Sequence, residues 1–257
     1  MALLDDTGVP LVRVRPTARR VVSLVPSLTE AIAATRPEAL CGATDWCTHA
    51  ADLDVTRVRG TKNVDWRTVV DLKPDLVVAN KEENRELDVR RLRDSRVPVW
   101  VTVIEDVPQA LTSMGRLFTD ALGWDEPEWL SQVRATWDRP VPAPHTRVAV
   151  PIWRDPWMVV GSATYTGDLL ARAGFANVFG AHEARYPHVE PAEIDGTGAD
   201  EVLLPDEPYA FAEDDGPEAF VTPTRLVSGR LLTWYGPAML EAADLLLPDT
   251  ERHGRTE

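Results

Sequence analysis

Two kinds of hydrophobic spacing alternate along the first hundred residues. Short apolar runs typical of buried strands occur in RRVVSLV (19–25), EALCGAT (38–44), DLVVAN (75–80) and VPVWVTV (97–103). Helical spacing predicts helices from Ser27 to about Thr35, where S-L-T-E forms a capping-box pattern, in NVDWRTVVDLK (63–73) before Pro74, and in ELDVRRLRDS (86–95). Strands that alternate with helices predict a mostly parallel sheet covered on both faces.

The spacing changes after Val107. Residues 107–137 have almost no strand signal, and their apolar positions recur at helical spacing with one break at 123–127. Further strands are predicted in RVAVPIW (147–153), MVVG (158–161), DEVLLP (200–205) and RLLTWYG (230–236), with helices near 165–173 and in PAMLEAADLLL (237–247). The sequence therefore predicts an α/β protein in which two Rossmann-like lobes with mostly parallel sheets are joined by a long backbone helix.

These elements divide the chain into five predicted segments. They are an N-terminal leader segment (1–18), a first α/β lobe (19–103), a backbone helix and Pro-rich joint (104–145), a second α/β lobe (146–247) and a flexible tail (248–257). A chain of 257 residues is long enough for two such lobes. The 44% hydrophobic and 26% charged residues are ordinary for a globular protein, which excludes disordered and fibrous classes.

Charge and leader-like segments bear on partners and location. The net charge of −14, without a basic stripe, argues against nucleic acid as a partner. Arg19 and Arg20 precede an apolar run that resembles an export signal, but Pro26, Ser27 and Glu30 interrupt that run. No window is apolar enough for a membrane helix, and only two cysteines are present. We therefore expect a soluble, cytoplasmic protein without membrane insertion, for which a transporter permease is a doubtful partner.

Aromatic and polar side chains follow several of the predicted strands. Ligands of open parallel sheets bind beyond the carboxyl ends of the strands, so residues at those ends are the candidates. Four of the nine tryptophans lie there, and large rings with a polar edge suit a flat or conjugated ligand. The predicted ligand-binding residues are Ser27, Trp46, His49, Trp66, Asn84, Arg85, Trp153, Trp157, Tyr165, Tyr186, Trp234 and Tyr235.

Other chemistries remain open at the same places. Candidate metal ligands are Cys47, His49, Glu83, His182 and His188, because a thiolate and imidazoles suit zinc, copper or iron. Cys47 and His49 could also act as nucleophile and base. The chain has no nucleophile elbow, phosphate-binding glycine loop or dinucleotide fingerprint, so the sequence favours a binding protein over an enzyme, and no catalytic residue is predicted.

Several stretches resemble the class III, helical-backbone solute-binding proteins, and most closely their cobalamin-binding branch. They are RRVVSLVPSLTEAIAA, GATDWCTH, RGTKNVDWRTVVDLKPDLVVANKEENRELDVRRLRD and VPVWV in the first half, and IWRDPWMVVGSATYTGDLLARAGFANVF in the second. The resemblance spans residues 19–245. It implies two α/β lobes joined by one long helix, little hinge bending, and a ligand held between the lobes. Proteins of this family are exported, whereas we expect this chain to lack an export signal.

Together these observations predict a ligand-binding protein. The expected ligand is cobalamin-like, haem-like or a metal–siderophore complex, and the cofactors left open are a corrinoid, a haem or a chelated metal. The alternatives are a receptor for a bare metal ion, and a cytosolic binding-protein fold reassigned as an enzyme of unknown reaction.

Overall fold

The chain is described here by a computed structural model that covers residues 3–12, 15–49 and 53–247. Contacts between Cα atoms divide it into two compact units. Unit 1 comprises Met1–Ile104, Pro108–Arg134 and Tyr235–Pro237, and unit 2 comprises Glu105–Val107, Ala135–Trp234 and Ala238–Glu257. The predicted tail, residues 248–257, lies outside the described residues.

Unit 1 is built on a parallel sheet. Its five strands are β1 (Val21–Ser23), β2 (Leu40–Ala43), β3 (Thr56–Arg57), β4 (Leu76–Asn80) and β5 (Val99–Thr102), in the order β3-β2-β1-β4-β5. The α-helices between these strands are α1 (Pro26–Ala33), α2 (Trp66–Asp71) and α3 (Glu86–Asp94). The sheet and helices predicted for this half are confirmed. The core contains Val22 and Val77 from strands that are apolar on both faces, and Leu92 from α3 belongs to the same cluster.

The start of α1 differs from the predicted capping box. The helix begins at Pro26, Val25 occupies the cap position, and no side chain caps it. Pro26 starts the helix because its fixed φ suits the first turn. Ser27 is therefore buried inside the first turn, and the Thr29 hydroxyl donates to the Val25 carbonyl at 2.9 Å. The capping-box prediction was wrong.

The described part of the predicted leader is an integral part of unit 1. Asp5 is buried, and Leu11 and Ala18 also lie in the core. The backbone N–H of Asp6 donates to the Val101 carbonyl at 3.2 Å, which places this segment against edge strand β5. We call residues 3–11 the N-terminal strap.

The predicted helical region begins with α4 (Val107–Arg116), which continues into a π-helical stretch, Leu117–Leu122. The helix ends at Gly123, which has a left-handed φ of 66°, and α5 (Glu128–Trp137) follows. The break predicted at 123–127 is confirmed. The long backbone helix of the sequence prediction therefore consists of two helical stretches separated by a turn.

Unit 2 contains a second parallel sheet and a separate hairpin. The sheet consists of β6 (Thr146–Ala149), β9 (Phe175–Asn177), β10 (Glu201–Pro205) and β11 (Thr224–Val227), in the order β11-β10-β6-β9, and the antiparallel hairpin consists of β7 (Pro151–Trp153) and β8 (Met158–Val159). The helices are α6 (Tyr165–Arg172), α7 (Pro191–Gly196), α8 (Gly229–Thr233) and α9 (Ala238–Leu246). The α/β class with mostly parallel sheets is confirmed.

Two predicted strands of unit 2 were wrong in detail. RVAVPIW is not one strand, because β6 lies between β9 and β10 and Pro151 has no N–H to continue the ladder of a central strand. RLLTWYG is not a strand, because 229–233 form α8. The N–H of Gly229 donates to Asp206 Oδ1 at 2.6 Å, and the strand position beside β10 is occupied by β11.

Candidate functional site

Three loops at the carboxyl edge of the unit 1 sheet are joined by Asn84. Its side-chain N–H groups donate to the carbonyls of Leu24 and Thr61, each at 3.1 Å, and its Oδ1 accepts from the N–H of Asn80 at 2.9 Å. Leu24 follows β1, Thr61 follows β3, and Asn84 itself follows β4. The amide of Asn84 is thus saturated by backbone groups, and its role in the structure is to fix the loops rather than to face solvent.

Trp46 is the exposed aromatic residue of this edge. It follows β2, and the residue is 67% exposed. A Cβ atom on Gly60 would lie 3.1 Å from Trp46 Nε1, so the indole lies directly over the backbone of the neighbouring loop, which follows β3. Gly60 N–H also donates to Asn63 Oδ1 at 3.1 Å. The ring therefore rests on an ordered loop with most of its surface open.

Tyr235 lies at the same edge of unit 1, although it is far along the chain. Its hydroxyl lies near the side chains of Ser27 and Thr102, which places it by the ends of β1 and β5. Burial raises the pKa of Tyr235 well above its ordinary value, and the nearby Glu83 carboxylate raises it further. Tyr235 is therefore a neutral, buried phenol at every physiological pH.

In unit 2, the β7–β8 hairpin presents Trp153 at its edge. Trp153 ends β7 and is 44% exposed. Its ring meets the ring of Tyr209 edge to face, with centroids 5.8 Å apart and planes at 80°. Tyr209 follows β10, so the pair joins segments that follow two neighbouring parallel strands, β6 and β10. An exposed ring on this edge is where the rule for parallel sheets places ligand contacts.

Trp157 differs from Trp153 although both belong to the same hairpin. It is 9% exposed, its ring stacks on Phe211 at 5.7 Å with planes at 11°, and Phe220 meets it edge on at 5.1 Å. Trp157 is thus part of the unit 2 core. The hairpin turns one tryptophan outward and the other inward, so the prediction that Trp157 offers its face to a ligand is corrected.

The remaining predicted residues divide by burial. His49 and Arg85 are exposed, Trp66 and Tyr186 are half-buried, and Ser27, Tyr165 and Trp234 are buried. The Tyr165 hydroxyl donates to the Trp234 carbonyl at 3.1 Å, and both belong to unit 2. Trp234 follows α8 and not a strand, which corrects the reason for which it was chosen.

The metal candidates are not assembled into a centre. Across the described parts of the chain, no three His, Cys, Asp or Glu side chains gather in a group suited to a metal ion. Cys47 Sγ is buried between the hydroxyls of Thr29, at 2.9 Å, and Thr44, at 3.1 Å. Burial raises the pKa of the Cys47 thiol, which disfavours the thiolate that a metal or a nucleophilic reaction requires. His49, His182 and His188 are exposed, and Glu83 is half-buried.

Sequence reasoning missed a polar network beside Trp153. Arg154 forms salt bridges with Asp215 and Glu218, and the Tyr209 hydroxyl donates to Asp215 Oδ2 at 2.7 Å. The aromatic residues in PDEPYAF and the acids in EDDGPE were visible signals, but they lie in an irregular loop without a motif. Only the fold brings this loop to the hairpin.

The chain shares its fold with solved structures of periplasmic ligand-binding proteins. The periplasmic vitamin B12 binding protein BtuF of Vibrio cholerae matches with a TM-score of 0.72 and 17% identity, over 89% of this chain and 95% of that one. A periplasmic heme binding protein from Pseudomonas aeruginosa matches with a TM-score of 0.72 and 20% identity, over 89% and 91%. The resemblance to class III solute-binding proteins is thereby confirmed for the fold.

A curated relative points in the same direction. The vitamin B12-binding protein of Pectobacterium atrosepticum is 22% identical over 189 residues, which are 68% of this chain and 67% of the relative. No protein-family model matches the chain. Among the residues that the structure describes, no helix has the length and apolar character needed to cross a membrane.

Proposed function

We propose that this chain is a ligand-binding protein for a large, ring-shaped metal chelate of the cobalamin or haem type, with a metal–siderophore complex as the third candidate. The observation that supports it most is the fold shared along nearly the whole chain with vitamin B12- and heme-binding proteins. The exposed rings of Trp46 and Trp153 support the same ligand class, because each lies beyond the carboxyl edge of a parallel sheet.

Equilibrium titration tests the proposal. Cyanocobalamin, haem and a ferric siderophore are added separately while tryptophan fluorescence and ligand absorbance are followed. At least one of the three should quench the fluorescence and saturate at one ligand per chain. The absorbance spectrum and metal content of the purified protein give an independent reading, since a corrinoid or haem has strong visible bands.

The exposed tryptophans provide the mutational prediction. Trp46→Ala and Trp153→Ala should each weaken the bound ligand by about 1–3 kcal/mol, the range for loss of an aromatic contact. Val221→Ala is the matched control, because Val221 is 92% exposed and precedes β11, which places it at the opposite, amino edge of the unit 2 sheet. Unchanged affinity in both tryptophan variants would contradict the assignment of these rings to the site.

We further propose that the protein retains residues 1–34 and binds its ligand inside the cell. The leader-like run after Arg20 forms β1, which lies in the middle of the sheet between β2 and β4. Removing it would expose two strand edges and the core of unit 1. Mass spectrometry of the native protein, with cell fractionation, should find this segment intact in the cytosolic fraction. An N-terminus at or beyond Thr35, or recovery outside the membrane, would restore an exported receptor that serves a permease.

A further inference from the structure

Trp153 and Tyr209 belong to a closed set of contacts that starts at Trp153 and reaches Asp215 by two routes. One side of the set runs along the chain, from Trp153 to Arg154, which forms salt bridges with Asp215 and Glu218. The other side runs through space, from the Trp153 ring to the Tyr209 ring, whose hydroxyl donates to the same Asp215. The two sides meet at the Asp215 carboxylate, which accepts from both Arg154 and the Tyr209 hydroxyl.

Tyr209 is itself held in place by core aromatic residues. Its ring lies 4.7 Å from the ring of Phe211, which stacks on Trp157 in the core. Arg154 is fixed as well, because its Cζ lies 5.5 Å from the centre of the Trp157 ring. Glu218, which forms a salt bridge with Arg154, is itself held by the N–H of Gly216, which donates to its Oε2 at 2.6 Å. A continuous series of rings therefore connects the exposed Trp153 to the buried core of unit 2.

We propose that Tyr209 is a positioning residue, which holds the Trp153 ring in one orientation before the ligand arrives. This inference rests on the proposed function, because it concerns the aromatic contact of that same site. A tryptophan that is ordered in advance loses little side-chain entropy when a ligand covers it, and so contributes more of its contact energy to affinity. Asp215 and Arg154 act one step further away, by fixing the Tyr209 hydroxyl.

Fluorine NMR tests the positioning without any ligand. The protein is labelled with 5-fluorotryptophan, and the Trp153 resonance is identified from its loss in Trp153→Phe. In Tyr209→Leu we expect this resonance to shift and to change its linewidth, while the resonances of Trp124, Trp129 and Trp137 stay in place. A Trp153 resonance that is unchanged in Tyr209→Leu would overturn the proposal whichever ligand the protein takes.

A double-mutant cycle tests the consequence for binding. The probe is whichever of cyanocobalamin, haem or ferric siderophore quenches the unmodified protein. Tyr209→Leu should raise its Kd by about five- to tenfold and Tyr209→Phe, which keeps the ring and loses the hydroxyl, by about two- to threefold. In a Trp153→Ala background, both changes should have less than about a 1.5-fold effect, because the ring that Tyr209 positions is then absent.

The outcomes separate this inference from the proposed function. If the effects of Tyr209→Leu and Trp153→Ala simply multiply, Tyr209 contacts the ligand directly and is not a positioning residue. If no probe binds the unmodified chain, the proposed function fails, while the fluorine measurement still decides whether Tyr209 orders Trp153. Val221→Ala serves again as the control, and its Kd and fluorine spectrum should match those of the unmodified protein.

Discussion

Replacing Gly123 by alanine should destabilise unit 1 by about 2–5 kcal/mol, the sum of a strained φ and a clash with rigid backbone. Gly123 has a φ of 66°, which an L-residue adopts only at a cost. A Cβ atom there would lie 2.0 Å from the carbonyl oxygen of Pro16. That oxygen cannot move freely, because the N–H of Ala18 donates to the Leu122 carbonyl at 2.8 Å and binds the two segments together.

Gly115→Ala is the control, because alanine is expected to have no effect on stability there or to raise it. It lies inside α4, and a Cβ atom there would meet only the ends of the Glu126 and Arg134 side chains, at 3.4 and 3.7 Å. Gly115→Ala should therefore be neutral or stabilise the protein by about 0.5–1 kcal/mol. Urea unfolding followed by circular dichroism measures both variants. A typical substitution costs about 1 kcal/mol of stability. If the free energy of unfolding of Gly123→Ala falls by no more than this, the segment around Pro16 moves aside and the predicted clash does not occur.

The elements that the sequence predicted correctly are those with strong periodicity and clear stops. β4 starts with the apolar residues 76–79, and α2 ends before Pro74. The break at Gly123 was also visible, because glycine ends helices with a left-handed residue. In RLLTWYG the apolar pattern was ambiguous, and the choice depended on which segment lies beside β10, which is a tertiary contact.

The candidate site also combines features that the sequence could predict with features that depend on tertiary contacts. The placement of Trp46 and Trp153 beyond the carboxyl ends of strands could be predicted from the sequence, because each lies at the end of an apolar run that is typical of a buried strand. The sequence could not show that the hairpin turns Trp157 into the core, nor that the loop after β10 brings Tyr209 to Trp153. Asn84 was chosen for its polarity, but a buried amide in a loop is usually saturated by backbone groups, as it is here.

The N-terminal strap is also held by tertiary contacts that the sequence does not reveal, among them the contacts of Asp5. The Asp5 side chain is fully buried, and it accepts from the N–H groups of Thr7 and Val9, each at 2.9 Å. It also accepts from Arg93 in α3 at 2.6 Å and from the N–H of Val101 in edge strand β5 at 3.3 Å. One carboxylate thus connects the strap, a helix and the open edge of the sheet.

Asp5→Ala should lower the free energy of unfolding of unit 1 by about 3 kcal/mol, because it leaves the half-buried guanidinium of Arg93 and the buried N–H of Val101 without their acceptor. Asp5→Asn, which keeps one acceptor oxygen and loses the charge, should lose about half as much. Asp94→Ala is the control, since that acid is exposed at the end of α3, where a negative charge opposes the helix dipole. We expect its stability to stay within about 0.5 kcal/mol of the unmodified protein.

The same variants report on the edge of β5. When the strap detaches, the strand presents unpaired N–H and C=O groups, which promote pairing with another chain. Asp5→Ala should therefore elute partly as dimers or larger species in size-exclusion chromatography at high protein concentration, whereas Asp94→Ala should elute as the unmodified protein does. Equal stability and equal elution of Asp5→Ala and the unmodified protein would mean that the strap neither stabilises unit 1 nor protects its edge. If Asp5→Ala loses stability but forms no dimers or larger species, the strap stabilises unit 1 but does not protect the edge of β5.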